Sequence, residues 1–134
     1  MSGPRVLIVD DNAMNIAIAE VVLLAEGFEV ESAADGLEGL LKVTSFRPDL
    51  VLMDIQMPGK DGLEVTRDLK ADPTTRHIRI VAFTAFAMQG DEAKMRSAGC
   101  DGYLSKPIDV QKFGAQVRAC LETSGGDASG MSRP

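Results

Sequence analysis

In this 134-residue chain, the residues best suited to chemistry fall at one kind of position, directly after a short apolar run. Asp10 and Asp11 follow Val6-Leu7-Ile8-Val9, and Asp54 follows Leu50-Val51-Leu52-Met53. Thr84 follows Arg79–Phe83, and Lys106-Pro107 comes just after Gly102–Leu104. In an open α/β sheet, ligands bind in the crevice outside the carboxyl ends of the strands. If these runs are parallel strands and the first and third are neighbours, three carboxylates share one rim. At an effective dielectric of 20, two unit charges about 4 Å apart repel by roughly 4 kcal/mol, so such a group needs compensation. A hard divalent cation supplies it, and a few-carboxylate, water-retaining site beside a phosphate suits Mg2+. Lys106 adds an ammonium on a mobile stem, suited to a phosphate oxygen, and Thr84 adds a hydroxyl donor. The set reads as a site where a carboxylate attacks phosphorus, with metal, ammonium and hydroxyl around the equatorial oxygens.

Each residue taken alone has a plainer reading. Asp10 or Asp11 after a strand would serve as a helix N-cap. Asp54 would be a turn residue before Met57-Pro58, Thr84 a strand terminus, and Lys106-Pro107 a solvated charge followed by a turn. What favours chemistry is that all the polar exceptions occupy the same end of successive runs.

The elements that must position them are legible as five β-branched-rich runs, Arg5–Val9, Phe28–Ser32, Leu50–Met53, Arg79–Phe83 and Gly102–Leu104. Each is followed by residues at helical spacing. After the first, Ile16, Ala19, Val22 and Leu23 recur at three- and four-residue intervals, and Gly27 offers a left-handed stop. Asp35 with Glu38, and Asp61 with Glu64, have the spacing of a capping box. Gly90-Asp91 predicts the start of a short helix ending at Gly99. Asp109 predicts the start of a last one, with Val110, Phe113, Val117 and Leu121 on its buried stripe. Alternating strands and helices imply a parallel sheet covered on both faces, and continuous apolar runs are what burial on both faces demands. The fold predicted is a doubly wound α/β domain of five βα units, with strand order 2-1-3-4-5.

Twenty acidic residues against fourteen Lys and Arg give a net charge of −6, the opposite of a nucleic-acid footprint. Glu20 splits the longest apolar candidate, so no segment is suited to a bilayer, and no signal peptide is evident; a cytoplasmic address is expected. Cys100 and Cys120 form no metal or redox pattern and read as small apolar side chains, and His77 as a solvated surface residue. Residues 123–134, rich in Gly and Ser, are expected to be a disordered tail beyond a core domain of residues 1–122, with no attached output module.

With these motifs in place, the chain resembles the response-regulator receiver domains of two-component signalling. The resemblance is carried by Val6-Leu7-Ile8-Val9-Asp10-Asp11-Asn12, by Pro48-Asp49-Leu50-Val51-Leu52-Met53-Asp54-Ile55-Gln56-Met57-Pro58, by Asp61-Gly62, by Phe83-Thr84-Ala85 and by Tyr103-Leu104-Ser105-Lys106-Pro107. It runs from about Arg5 to Glu122. Asn15, Gly62-Leu63-Glu64-Val65-Thr66, Ala85-Phe86-Ala87-Met88 and Gly99-Cys100 narrow it toward the free-standing, DivK-like members.

The resemblance implies a flavodoxin-like (βα)5 fold and assigns roles. Asp54 would accept a phosphoryl group from a phosphohistidine of a histidine kinase or phosphotransfer protein. Asp11, Asp54 and the backbone carbonyl of Gln56 would bind Mg2+ directly, with Asp10 helping through water. Thr84 and Lys106 would hold phosphoryl oxygens, the small Ala85 would leave room for them, and the Lys106-Pro107 peptide would be cis. Tyr103 would be the switch aromatic, biasing the surface of the fourth helix, fifth strand and fifth helix toward a downstream protein target. The domain would catalyse only its own phosphorylation and dephosphorylation, as a monomer or a weak phosphorylation-dependent dimer. Lys60 departs from the apolar residue many relatives carry before Asp61-Gly62. A chemotaxis-type or hybrid-kinase-type receiver is the alternative within the family. A Mg2+-dependent phosphatase would need an acid where Asn12 stands, and a flavin-binding module would need a phosphate loop where Asp10-Asp11 repels phosphate.

Overall fold

The computed structural model describes residues 3–55, 62–84 and 89–122. The tail at 123–134, and with it Gln56, Lys60, Asp61 and Ala85, lies outside the described residues. Ten elements alternate along the chain: β1 (Arg5–Val9), α1 (Ala13–Ala25), β2 (Glu29–Ala33), α2 (Gly36–Phe46), β3 (Leu50–Met53), α3 (Gly62–Ala71), β4 (Arg79–Thr84), α4 (Gln89–Ala98), β5 (Gly102–Ser105) and α5 (Phe113–Glu122). The strands form one parallel sheet in the order β2-β1-β3-β4-β5, the predicted doubly wound α/β arrangement.

Successive side chains of a strand point to opposite faces, so a strand buried on both sides feeds two cores. On β1, Val6 and Ile8 join Ala19, Leu23, Phe83, Phe113 and Val117 beneath α1 and α5. Leu7 and Val9 join Val43, Val65, Leu69 and Ile80 beneath α2 and α3. Burial of Val6–Val9 and Leu50–Met53 on both faces explains why these stretches run apolar without alternation.

Local chemistry sets the helix ends. α1 stops where Gly27 adopts φ +93°, a left-handed conformation that costs glycine nothing. The Phe28 N–H then donates to Leu23 O at 3.0 Å and the Gly27 N–H to Leu24 O at 3.0 Å, closing a Schellman turn whose Phe28 and Leu23 side chains share a core. At α2 the Asp35 carboxylate accepts from the Glu38 N–H at 2.8 Å. Glu38 reaches back one residue further than the capping-box spacing suggests, accepting from the Ala34 N–H at 2.8 Å.

Two boundary expectations are corrected. α4 starts at Gln89, so Gly90 and Asp91 lie inside it, not ahead of it. Asp109 does begin the hydrogen bonding that leads into α5: its carboxylate accepts from the Gln111 N–H and its carbonyl from the N–H groups of Lys112 and Phe113. However, residues 110–112 form a turn before α5. This rotates Val110 off the buried stripe, leaving it 62% exposed while Phe113 and Val117 are buried.

Candidate functional site

The sheet register brings the site together. β1 and β3 are neighbours with Val9 opposite Met53, and the ladders on both sides of β1 extend one residue further: the Asp10 N–H donates to Ala33 O of β2 at 3.0 Å and the Asp54 N–H to Val9 O of β1 at 2.9 Å. Asp10 and Asp54 are thereby fixed side by side, 0% and 3% exposed. Across the sheet, Thr84 ends β4 opposite Ser105, and the Lys106 N–H donates to Thr84 O at 2.8 Å. Lys106 thus leaves the rim one residue past β5, and its peptide bond to Pro107 is cis.

Neither Asp10 nor Asp11 caps α1. That role belongs to Asn12, whose side chain accepts from the Asn15 N–H at 3.1 Å. Asp10 Oδ1 accepts from the Asn12 N–H at 2.8 Å, which orients its other oxygen into the site. Asp11 is exposed at the mouth. One carboxylate oxygen each from Asp10, Asp11 and Asp54 lie within 4.8 Å of one another.

The Lys106 Nζ stands 2.9 Å from Asp10 Oδ2 and 3.4 Å from Asp54 Oδ2. The first contact supplies charge but not direction: Asp10 Oδ2 is buried without a hydrogen-bond partner among the described residues. A buried carboxylate oxygen in that condition is costly unless something else binds it. Three carboxylates against one ammonium leave a local charge of −2, with hard oxygen ligands. The residues present therefore fit a divalent cation of the Mg2+ kind.

The Lys106 ammonium also sits 5.0 Å from the centroid of the Phe83 ring, and Phe83 packs 5.9 Å from Phe113 of α5. An aromatic face attracts a cation, so Phe83 helps hold Lys106 over the carboxylates. Phe83 stands one residue before Thr84 on β4 and so faces the other side of the sheet, a placement that its motif, Phe83-Thr84-Ala85, does not reveal. Tyr103 is 42% exposed beside a hollow of about 190 Å3 that also meets Met95, Arg96, Cys100, Asp101 and Gly102.

The remaining reactive residues stand apart. Burial pushes the Cys100 thiol up to about 11, outweighing a hydrogen bond with Thr66. Burial also raises Cys120. Both are poor nucleophiles at neutral pH, as small apolar fillers should be. His77 is exposed at the opposite end of the sheet.

A parallel (βα)5 sheet with this acidic pocket and a lysine at the carboxyl rim defines a class of signalling switch, and residues 6–118 match the response regulator receiver domain. The chain belongs to that family, the phosphorelay domains of two-component systems. It is 47% identical to the polar-differentiation response regulator DivK of Brucella anthropi over 116 residues, 87% of this chain and 94% of that protein. The DivK of Brucella ovis is 46% identical over the same length and coverage.

Among solved structures, the chemotaxis protein CheY4 of Vibrio cholerae superimposes with a TM-score of 0.84 at 26% identity, covering 89% of this chain and 99% of that one. The receiver domain of sensor histidine kinase PA1611 from Pseudomonas aeruginosa superimposes with a TM-score of 0.79 at 33% identity, covering 94% and 100%. That structure holds a magnesium ion coordinated in the active site cleft. Among the described residues, no helix is long and apolar enough to cross a membrane.

Proposed function

We propose that Asp54 is the phosphoacceptor of a Mg2+-dependent switch, taking its phosphoryl group from a phosphohistidine on a histidine kinase or phosphotransfer protein. The observation that carries this reading is the Lys106 ammonium set between Asp10 and Asp54, over a carboxylate group whose charge remains −2. An Asp54 oxygen forms the new bond to phosphorus as the phosphorus–nitrogen bond breaks, and the imidazole keeps the electron pair and takes a proton from solvent. Lys106 neutralises one phosphoryl oxygen, and the Thr84 hydroxyl donates to another. Asp11, Asp54 and the backbone carbonyl of Gln56 would hold Mg2+ directly, with Asp10 helping through water, and the ion would supply positive charge to the phosphoryl oxygens. Burial of Asp10 and Asp54 excludes bulk water, which strengthens each of these interactions.

The receiver domain occupies residues 1–122 and turns over no external substrate. Phosphorylation draws Thr84 inward, Ala85 leaves room for the phosphoryl group, and Tyr103 follows, changing the α4–β5–α5 surface that a downstream protein reads. A few kcal/mol of differential contact energy is enough for such a shift. The likeness to DivK supports a role in cell polarity and cell-cycle signalling in the cytoplasm, with no nucleic acid or membrane as partner. The protein acts as a monomer or as a weak dimer formed on phosphorylation.

The test is phosphorylation by acetyl phosphate with Mg2+, read by intact mass. Wild type gains one phosphoryl group and Asp54→Asn none; equal incorporation in that variant contradicts the assignment.

A further inference from the structure

On the far side of the sheet from Phe83, Lys70 in the last turn of α3 ties together three segments. Its ammonium donates to Arg76 O at 3.1 Å, to Ile78 O at 2.8 Å and to Asp101 Oδ2 at 2.8 Å. The same Asp101 oxygen accepts from the Ile80 N–H at 2.8 Å, and the Asp101 N–H donates to Ile80 O at 2.7 Å. The Lys70 stem lies directly under Gly99: a Cβ there would stand 2.8 Å from Lys70 Cγ and 3.3 Å from its Cβ. Through Lys70, α3 therefore grips Gly99 and Asp101, which flank Cys100 in the turn that joins α4 to β5.

The other end of α3 abuts Asp54. Gly62, its first residue, packs so close that a Cβ would collide with the Asp54 carbonyl oxygen. At 1.5 Å per residue, a rod of about 12 Å separates that contact from Lys70. Lys70 does not line the hollow beside Tyr103, but Asp101, which it holds, does.

We propose that Lys70 is a positioning residue that keeps the α4–β5 turn in register with Asp54, so that the face carrying Tyr103 answers phosphorylation as one unit. This rests on Asp54 being the phosphoacceptor, and it adds a route on the α3 side of the sheet to the one through Thr84. A charge-assisted bond from a largely buried ammonium fixes geometry more firmly than a neutral one. Without the ammonium, two carbonyls and a carboxylate lose their common donor. The turn then has several arrangements open to it, and its equilibrium no longer follows that of the site.

The test is backbone amide NMR of the full chain, titrated with Mg2+ and beryllofluoride as the phosphoryl analogue. In wild type, amides at 99–103 move at the same saturation as those of Asp54 and Thr84. In Lys70→Met, which keeps the stem under Gly99, Asp54 and Thr84 respond in full, while the response at 99–103 falls by at least half. Asp101→Asn, which keeps the shape and removes the charge, gives a smaller loss in the same direction and serves if Lys70→Met does not fold. An unchanged response at 99–103 in these variants overturns the proposal. So does a wild type in which Asp54 and Thr84 respond and 99–103 do not, and that result leaves the phosphoacceptor reading intact. No response anywhere in wild type overturns both.

Discussion

The ammonium of Lys106 lies 2.9 Å from Oδ2 of Asp10, a buried carboxylate oxygen that no hydrogen bond reaches among the described residues. The pair joins the ends of β1 and β5, which are not neighbours in the sheet. It leaves Asp10 oriented and its Oδ2 without a hydrogen bond, which is the condition a cation site requires.

Removing that ammonium should separate metal binding from phosphoryl transfer. With Lys106→Met the carboxylates keep their full negative charge, so Mg2+ should bind roughly tenfold tighter, about 1.4 kcal/mol. Phosphorylation by acetyl phosphate should slow by at least about a hundredfold, because the developing charge loses its counterion. Calorimetric titration and rate measurements on the same variant check both; weaker Mg2+ binding would contradict the charge argument.

Asp11 is exposed and caps no helix, so its contribution to folding should be negative. Asp11→Ala should lose Mg2+-dependent phosphorylation while its melting temperature stays level or rises, since a like charge is removed from the cluster. A marked fall in melting temperature would show that the carboxylate has a structural role.

Asn12→Ala should instead cost stability, about 1 kcal/mol, through loss of the side-chain bond to the Asn15 N–H. Urea denaturation gives the figure directly. No change in midpoint would mean that α1 starts without the cap.

Cys100 gives a pH-dependent prediction. Its thiol is raised from an ordinary 9.0 to about 11 in the folded protein by burial. Between those values the unfolded chain releases a proton that the folded one keeps. The stabilising contribution is therefore present in full below pH 9 and is lost as pH rises toward 11. The urea midpoint of wild type should fall more steeply over pH 8–11 than that of Cys100→Ala. Parallel curves would contradict the burial argument.

Much of this was legible in the sequence because burial on both faces leaves a continuous apolar run, which marked β1 and β3 to the residue. The polar residues that end such runs stand at the carboxyl rim, so the sequence pattern alone groups Asp10, Asp54, Thr84 and Lys106. Capping was harder to read. Asp10 and Asp11 have the right side chains to start α1, but Asn12 takes the cap because Asp10 is still held in the sheet by its bond to Ala33. Val110 has the spacing of the α5 stripe, yet the turn at 110–112 changes the angle per residue and turns it to solvent. The Lys70–Asp101 bond spans 31 residues and has no periodic signature, and Phe83 beneath Lys106 joins two strands; only the folded register brings such partners together.

The central claim, that Asp54 accepts the phosphoryl group in a site built by Asp10, Asp11, Thr84 and Lys106, is tested most directly by intact-mass measurement after incubation with acetyl phosphate and Mg2+. Wild type should gain the mass of one phosphoryl group, lose it in hydroxylamine, and gain nothing in EDTA, while Asp54→Asn gains nothing under any of these conditions. Full incorporation into Asp54→Asn, or into wild type in EDTA, would contradict it.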